Sequence, residues 1–345
     1  MSAQDQKYEE SMLALEDQKI ADLVIQRYMC AKNATQKLRQ VYWPKYLKMY
    51  LQQHEEGSKY QYRSKIYVPL VFGQVQILSP YIMQTIFSSD PTFKLNDMTG
   101  LKKDAGTALE KLIECQTEEM GLYGKLDDFV LNMLIYGTSV AKVYWESDIS
   151  EEEVTRKVKK IKFNNVLGVK VPVGLEEVEE SDTEEVINYN GPVFSNIDLQ
   201  DFYIDPKAEK LQGYWKGHII TKSFSELRKA NKETDGKMYK NLNELEAIMS
   251  VTERGDSAEE NIKRDRKVMS GVDVASGQSL PNGKIRLFEY WTSNDSEFYV
   301  VALDYGITIR KAKNVFKHKK SPFVFARFVP TPGEFYGQGI PSIVY

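Results

Sequence analysis

The first third of the chain follows a helical pattern of apolar and polar positions. Within residues 7–31, and again within 34–55, apolar residues recur at intervals of three and four, which predicts two amphipathic helices. Pro44 should kink or split the second helix, because proline lacks the N–H that the helical hydrogen bond needs. Residues 101–123 and 126–136 predict two more helices, each ended by glycine.

After these helices the period changes to the alternation that is typical of β-strands. Residues 140–145 alternate in this way. Two β-rich runs, 154–163 and 166–173, are joined at Asn164–Asn165, and Gly191–Pro192 separates another pair of runs, so both sites predict hairpin turns. Later strands are predicted at 285–291, 298–303 and 307–310.

Small helices and loops complete the second half. Ser223 and Glu226 have the spacing of a capping box and predict a short helix, and residues 238–249 predict another. The range 174–185, in which seven of the last ten positions carry carboxylates, is interpreted as an exposed flexible loop or solvated arm. Residues 252–282 lose periodicity and are rich in Gly, Ser, Asp and Lys, which predicts a mobile loop or linker.

Together these elements predict an α+β protein, with a helical N-terminal part followed by an antiparallel β-rich body with small helices. The predicted division assigns residues 1–137 to the helical part, 138–335 to the β-rich body and 336–345 to the start of a further helix. A chain of 345 residues can bury a large core.

The last 25 residues carry the most specific pattern in the sequence. An apolar strand, 323–329, runs into a corner rich in Pro and Gly, and the aromatic–glycine run Glu334–Gly339 follows. Pro341 then stands in the first turn of a predicted helix, where proline is favoured. A protein rarely ends on a helix that has just begun, so we expect this sequence to be the front part of a longer polypeptide.

This ending resembles that of the portal proteins, the head-to-tail connectors of short-tailed double-stranded DNA bacteriophages. In that family a strand of the type PFV-x-x-R-x-x-P leads to PGEFYG-x-GIP and then into a long helix, and the same order occurs here from Pro322 to Pro341. With three further matches in the family's order, the resemblance covers roughly residues 38–345. These matches are Tyr67–Val71, Leu134–Trp145 and Leu199–Ala208.

The resemblance implies a structural role in a virion. Residues 1–335 would form the wing-like outer body of a homo-oligomeric ring, a dodecamer, at one capsid vertex, and residues 336–345 would begin a stem helix. The subunit would not be an enzyme and would need no cofactor, since the terminase motor hydrolyses ATP. The hinge between outer body and stem would consist of Pro332, Gly333, Glu334, Phe335, Tyr336, Gly337, Gly339 and Pro341.

The same resemblance implies a set of partners and a location. The ring would form the channel through which the genome is packaged and ejected, so double-stranded DNA would pass through it. Its protein partners would be other copies of the chain, the major capsid protein, the terminase large subunit and tail adaptor proteins. The expected location is the virion and, during assembly, the host cytoplasm, with no membrane partner.

The net charge does not indicate general nucleic-acid binding. The chain has 46 Lys and Arg against 49 Asp and Glu, a formal charge of −3, whereas a sequence-independent grip on DNA needs cations gathered on one face. A mildly acidic chain suits a conduit through which DNA must slide.

Two local basic runs, 156–162 and 310–320, leave alternatives open. The favoured interpretation is a solvated sheet edge, which lysines protect against pairing with another sheet. The alternative is an electrostatic contact, either with DNA phosphates or with an acidic neighbour such as residues 176–185 of the next subunit.

The best candidate for catalytic chemistry is the carboxylate group Asp198, Asp201 and Asp205. Because the stretch ends in Asp205–Pro206, a turn is the favoured interpretation. The alternative functions are a metal-dependent phosphoryl-transfer enzyme or nuclease that uses these carboxylates, and a non-portal virion adaptor. The sequence has no phosphate-binding P-loop, and its three histidines lack the spacing of a zinc site.

Three features bear on the environment of the chain. Cys30 and Cys115 lie within apolar helical patterns, which predicts buried free thiols. Residues 66–89 carry no charge, but Pro69 and Pro80 interrupt them, so a buried helix is favoured over a membrane span. The polar, acidic N-terminus excludes a secretory signal.

Overall fold

The computed structural model describes residues 3–53, 69–89, 92–95, 103–166, 169–234, 236–249, 258–271 and 284–344. A helical N-terminal part is followed by two antiparallel sheets that carry small helices. The fold class predicted from the sequence, α+β, is confirmed.

Helices occupy most of the described residues before the first strand. Pro44 stands in the first turn of a helix that directly follows a π-helical segment, so the predicted split of the 34–55 pattern is confirmed. The elements are α1 (Ala3–Ala34), the π-helical segment (Leu38–Tyr42), α2 (Trp43–Tyr50), α3 (Leu70–Ile86), α4 (Lys103–Glu119) and α5 (Leu122–Tyr136).

The two sheets are built from β1 to β8, and every strand pair in them is antiparallel. The smaller sheet has the order β2-β1-β8, and the larger has the order β3-β4-β5-β6-β7. The strands are β1 (Thr138–Val166), β2 (Val169–Ile197), β3 (Phe202–Ile204), β4 (Lys216–Ser223), β5 (Lys284–Trp291), β6 (Glu297–Ala302), β7 (Ile307–Lys313) and β8 (Phe323–Arg327).

One face of α1 packs on the larger sheet. Ala21, Val24, Tyr28 and Ala31 are buried at steps of three and four residues, which is the spacing of one helical face. They form a cluster with side chains of β3, β4, β5 and β6. The helix predicted over 7–31 is therefore found, but Leu15 and Leu23 of its expected apolar face are exposed.

Both cysteines are exposed, so the prediction of buried thiols is wrong. Cys30 follows the buried Tyr28 by two positions, and two residues turn an α-helix by about 200°. Cys30 therefore lies opposite the face that packs on the sheet. Cys115 lies on an exposed part of α4, with its Sγ 3.8 Å from Glu119 Oε1.

The uncharged segment contains α3, which buries one face only. Val71, Val75, Ser79 and Met83 are buried at every fourth position, in a cluster that includes Leu134 of α5. None of the helices among the described residues has the length and apolar character needed to cross a bilayer.

The hairpin predicted around Asn164–Asn165 is found, because β1 and β2 pair antiparallel there, but β1 continues to Val166, which pairs with Val169. The turn predicted at Gly191–Pro192 is wrong, since both residues lie inside β2. Pro192 is tolerated there because β2 is an edge strand of the β2-β1-β8 sheet, where the missing N–H need not face a partner.

The acidic range 174–185 is also a strand and not a loop, since it lies within β2. The register between β1 and β2 explains why this acidic range forms a strand. The basic run of β1 is aligned with the acidic run of β2, and opposite charges in such cross-strand positions stabilise a pair of strands. The aligned pairs include Arg156 with Glu180, Lys157 with Glu179, Lys159 with Glu177 and Lys160 with Glu176.

The small helices are α6 (Phe224–Glu233), α7 (Leu242–Met249) and α8 (Ala258–Met269). The capping box of Ser223 and Glu226 is present at the start of α6 and confirms that prediction. The presence of α8 corrects the loop prediction for 252–282, while 252–257 and 272–282 lie outside the described residues. Ion pairs of Lys263 and Arg266 with carboxylates of the β-rich body hold α8 in place.

Candidate functional site: the junction of the helical and β-rich parts

The terminal motif docks where α5 ends and β1 begins. Gly137 takes a left-handed conformation, with φ 84°, and its N–H donates to Met133 O at 2.9 Å. Glycine ends many helices in this way, because a side chain resists positive φ. Thr138 then starts β1 and pairs with β8, which leads into the motif. We call the contact between residues 135–138 and residues 328–341 the junction.

Three glycines allow the two backbones of the junction to touch. A Cβ atom on Gly137 would lie 2.4 Å from Gly337 O, and one on Gly339 would lie 2.4 Å from Ile135 O. A Cβ atom on Gly337 would lie 2.7 Å from both Gly137 O and Val329 O. Since each obstacle is backbone, no side chain can move aside, and glycine is required at all three positions.

Hydrogen bonds fix the same contact. The N–H of Gly337 donates to Thr138 Oγ1 at 2.8 Å, and the N–H of Phe328 donates to Gly137 O at 3.1 Å. Val329 and Gln338 exchange two backbone hydrogen bonds, at 3.2 and 2.8 Å. The motif is therefore joined to the first residues of β1 as well as to its own strand.

Aromatic rings of the motif fill the core beneath the junction. Phe335 is buried and stacks on Phe202 and Phe325, with ring centroids 5.9 and 5.0 Å apart. Tyr336 meets Trp43 of α2 edge-on at 5.8 Å. Burial raises the pKa of Tyr336, although Arg39 opposes the shift.

Arg39 joins the helical part to the junction, a role that no pattern in the sequence indicates. Its side chain is buried, with 3% exposed. Its guanidinium donates to Leu199 O at 2.8 Å, Gln200 O at 3.0 Å and Phe202 O at 2.5 Å. It also stacks 4.0 Å from the Tyr203 ring centroid. An arginine inside a helical pattern gives no signal that distinguishes this role from an exposed position.

The remaining motif residues lie at its two ends. Gly333 has φ 78° in the turn that precedes the aromatic residues, and Glu334 O accepts a hydrogen bond from Arg327 at 2.8 Å. Pro341 is buried in the first turn of α9 (Ile340–Val344), so the predicted helix start is found. Pro332 is exposed in the same turn as Gly333.

The stretches that suggested the family resemblance converge at the junction. Residues 134–145 supply the end of α5 and the start of β1, and residues 199–208 supply the carbonyls that Arg39 binds. Leu70 and Val71 open α3, which contacts α9. Tyr67 and Val68 of the same stretch lie outside the described residues.

The three candidate carboxylates do not converge on one point. Asp198 pairs with Arg266, and Asp201 pairs with Lys263 at 2.5 Å, both cations belonging to α8. Asp205 Oδ1 instead accepts the N–H of Lys207 at 3.0 Å, as expected in an Asx turn. In the part of the chain that the structure describes, no group of three His, Cys, Asp or Glu residues is placed to hold a metal ion.

The two paired carboxylates differ in their electrostatics. Burial pushes the pKa of Asp198 upward, but Arg266 and the N–H of Gln200 outweigh it, so the pKa lies below its usual value. Burial dominates at Asp201 and raises its pKa, although Lys263 acts in the opposite direction. Both carboxylates therefore serve as counterions for α8.

A model of a known protein family matches most of the chain. The model of the phage SU10 portal protein family matches residues 21–345. The chain belongs to the SU10 portal protein family. Its members are structural proteins of the phage capsid, and the resemblance seen in the sequence is thereby confirmed. No curated protein matches the chain.

Proposed function

We propose that this SU10-family portal protein is the subunit of a dodecameric ring at one capsid vertex. The ring forms the channel for genome packaging and ejection, and it offers docking surfaces to the terminase large subunit, the tail adaptor proteins and the major capsid protein. The observation that carries the proposal is the family match over residues 21–345.

In this proposal the junction transmits force between the outer body and the stem. The motif from Pro332 to Pro341 is the structural hinge, the bend at which the chain passes from the outer body to the stem, and α9 is the first turn of the stem helix. Backbone contact between Gly137 and Gly337 leaves little room for movement, so this bend is rigid where it meets the end of α5. A channel under packaging load needs such stiffness, and the buried Arg39 adds to it by joining the π-helical segment to residues 199–202.

The charges of the chain suit passage of DNA without a firm grip. The formal charge is −3, and the basic run of β1 is aligned with carboxylates of β2 in the same hairpin. Lysines and arginines that are aligned with carboxylate residues contribute little net positive charge, so they should displace few counterions from DNA and bind it weakly. We propose that DNA is a passing cargo and that the subunit catalyses no reaction of its own.

Electron microscopy of the purified full-length protein tests the proposal. Class averages should show closed rings with a central channel, and native mass spectrometry should give twelve subunits. A protein that stays monomeric in every assembly condition, or rings without a channel, would overturn it. Mg²⁺- or Mn²⁺-dependent cleavage of DNA that is lost on Asp198→Asn and Asp201→Asn would instead favour the nuclease.

A further inference from the structure

We propose that the acidic part of the long β1–β2 hairpin docks on the basic loop 317–320 of the neighbouring copy in the ring. The inference rests on the proposed function, since it requires copies arranged side by side. We call the hairpin from residue 146 to 166 and from 169 to 191 the ribbon, and residues 317–320 the basic loop.

The ribbon has only two strands. β8 pairs with β1 only from Thr138 to Lys142, so no other described strand borders the ribbon on either side. A two-stranded ribbon is marginally stable alone in water, and its free edges can pair with another chain. A ribbon that extends for about twenty residue pairs beyond β8 therefore needs a neighbour to stabilise it.

The register places like charges opposite one another near the base of the ribbon. Glu151 is aligned with Glu185, and Glu152 with Glu184, and such pairs destabilise a sheet. The two segments 151–154 and 182–185 together contain six carboxylate residues and no Lys or Arg. No Lys or Arg is aligned with these carboxylate residues, whereas nearer the tip each of Arg156 and Lys157 is aligned with a glutamate. A cationic partner from outside the hairpin would therefore stabilise this part of the ribbon.

The basic loop has the complementary charge. Lys317, His318, Lys319 and Lys320 are exposed, and none of the three lysines forms an ion pair with any other residue in the described ranges.

The loop also has a fixed shape. The N–H of Lys320 donates to His318 Nδ1 at 3.0 Å, and the His318 ring stacks on Phe316 at 5.2 Å. Phe316 in turn stacks on the buried Trp291. Since the backbone of the loop is held before any partner arrives, docking costs conformational entropy mainly at the exposed lysine side chains.

Within one copy the basic loop lies beside the first residues of β1, since His318 and Lys320 line a cavity together with Trp145. Glu152 follows Trp145 by seven positions on β1, which is about 23 Å at the rise of a β-strand. The acidic part of the ribbon therefore lies further along β1 than the residues beside the basic loop. Complementary patches at separate places on one chain favour head-to-tail contact, which is the kind that closes a ring.

Cross-linking between differently tagged subunits tests the contact. In a background with Cys30→Ser and Cys115→Ser, one tagged chain carries Glu152→Cys and the other Lys319→Cys, and the two are co-expressed. A short bismaleimide should give a dimer that carries both tags. The matched control replaces Glu152→Cys by Glu209→Cys, an exposed carboxylate in the turn after β3, and should give no such dimer.

Charge reversal supplies an independent measurement. Lys317→Glu, Lys319→Glu and Lys320→Glu together should raise the concentration for half-assembly about tenfold or more. The control Lys94→Glu, Lys210→Glu and Lys232→Glu changes the net charge equally at exposed lysines elsewhere and should leave assembly unchanged. Adding Glu151→Lys, Glu152→Lys and Glu185→Lys to the first variant should restore assembly.

The outcomes separate the inference from the proposed function. Rings that form without a mixed-tag dimer above the control, and that are insensitive to reversal of the basic loop, would overturn the ribbon contact and leave the portal proposal intact. Absence of rings from the unmodified protein would overturn both. Mixed-tag dimers together with restoration by the swapped charges establish the contact.

Discussion

A methyl group on Gly137 would lie 2.4 Å from the carbonyl oxygen of Gly337, two hundred positions further along the chain. The first glycine ends the last helix of the N-terminal part, and the second belongs to the motif that precedes α9. Close backbone contact between them joins the beginning and the end of the β-rich body. The stability of the junction therefore depends on residues that have no side chain.

Replacing Gly137 by alanine should strongly destabilise the protein. The new methyl group would meet backbone atoms, and alanine would be held at φ 84°. The positive φ alone costs about 1–2 kcal/mol, and the overlap adds to it, so we expect a loss of about 3 kcal/mol or more in the free energy of unfolding. Urea denaturation followed by circular dichroism measures it.

Gly124→Ala is the matched control for this prediction. Gly124 lies inside α5 and would have no atom within 4 Å of a new Cβ. Alanine is favoured over glycine in a helix by about 1 kcal/mol, so this variant should be as stable as the original or more stable. Equal effects of the two substitutions would contradict the role assigned to the junction.

Arg39→Met should also destabilise the protein, because three backbone carbonyls would lose their donor. These are the carbonyls of Leu199, Gln200 and Phe202. Buried hydrogen bonds to a charged group contribute about 1.5–3 kcal/mol each, and we expect a total loss of about 3–5 kcal/mol because their contributions overlap. Thermal unfolding measures the difference.

The control is Arg228→Met, which removes an exposed ion pair to Glu246. Exposed pairs contribute about 0–1 kcal/mol, so the midpoint of unfolding should barely change. If Arg39→Met unfolds at the same temperature as this control, Arg39 does not hold the π-helical segment to the junction.

Features set by neighbouring residues could be predicted from the sequence. Gly137 ends α5 because glycine readily takes the positive φ of a helix end, and Ser223 with Glu226 begins α6 through local hydrogen bonds. The start of α9 at Ile340 follows from Pro341 in the same way. In each case the deciding interactions lie within one helical turn.

Features set by distant partners could not be predicted. Residues 174–185 look like a loop until their alignment with the basic run of β1 is known. Residues 258–269 show no clear pattern in the sequence, and their helix is held by the ion pairs of Lys263 with Asp201 and of Arg266 with Asp198. The exposure of Cys30 depends on which face of α1 packs on the sheet, and the helical spacing of apolar residues alone does not determine that face.

Stability should decrease as the pH falls from 6.5 toward 4, because His218 is buried in the neutral form. Its side chain is 8% exposed, and burial lowers its pKa from 6.5 to about 4, with Glu289 opposing the shift and Lys142 adding to it. Between these two values the unfolded chain binds a proton that the folded chain does not, so acid favours unfolding. The full difference between the two pKa values corresponds to about 3 kcal/mol in the free energy of unfolding.

Urea denaturation at pH 7 and at pH 4.5 measures this dependence, with His218→Gln as the test and His318→Gln as the control. His318 is exposed. The loss of stability between the two pH values should shrink by about 2–3 kcal/mol in His218→Gln and should be retained in His318→Gln. An identical pH dependence in all three proteins would rule out His218 as its source.

Asp198→Asn should loosen α8 without unfolding the body. α8 is held to the body through Arg266 on Asp198 and Lys263 on Asp201, and Gln53 Nε2 donates to Met269 O at 2.6 Å. The pKa of Asp198 lies below its usual 3.8, so the carboxylate is charged at neutral pH and its contribution is complete there. The pair is partly exposed, so removing one partner should cost about 1–2 kcal/mol, between the values for exposed and for buried pairs. Hydrogen exchange in residues 258–269 should rise accordingly while β4 and β5 stay protected.

Two comparisons make the α8 prediction specific. Asp205→Asn changes a carboxylate in the same stretch that caps a turn and does not pair with α8, so exchange in residues 258–269 should remain unchanged. Raising the salt concentration should increase exchange in the original protein, because ions screen the two partly exposed pairs. If Asp198→Asn and Asp205→Asn behave alike, the ion pairs do not hold α8, and its position depends instead on its other contacts, which include those with α2.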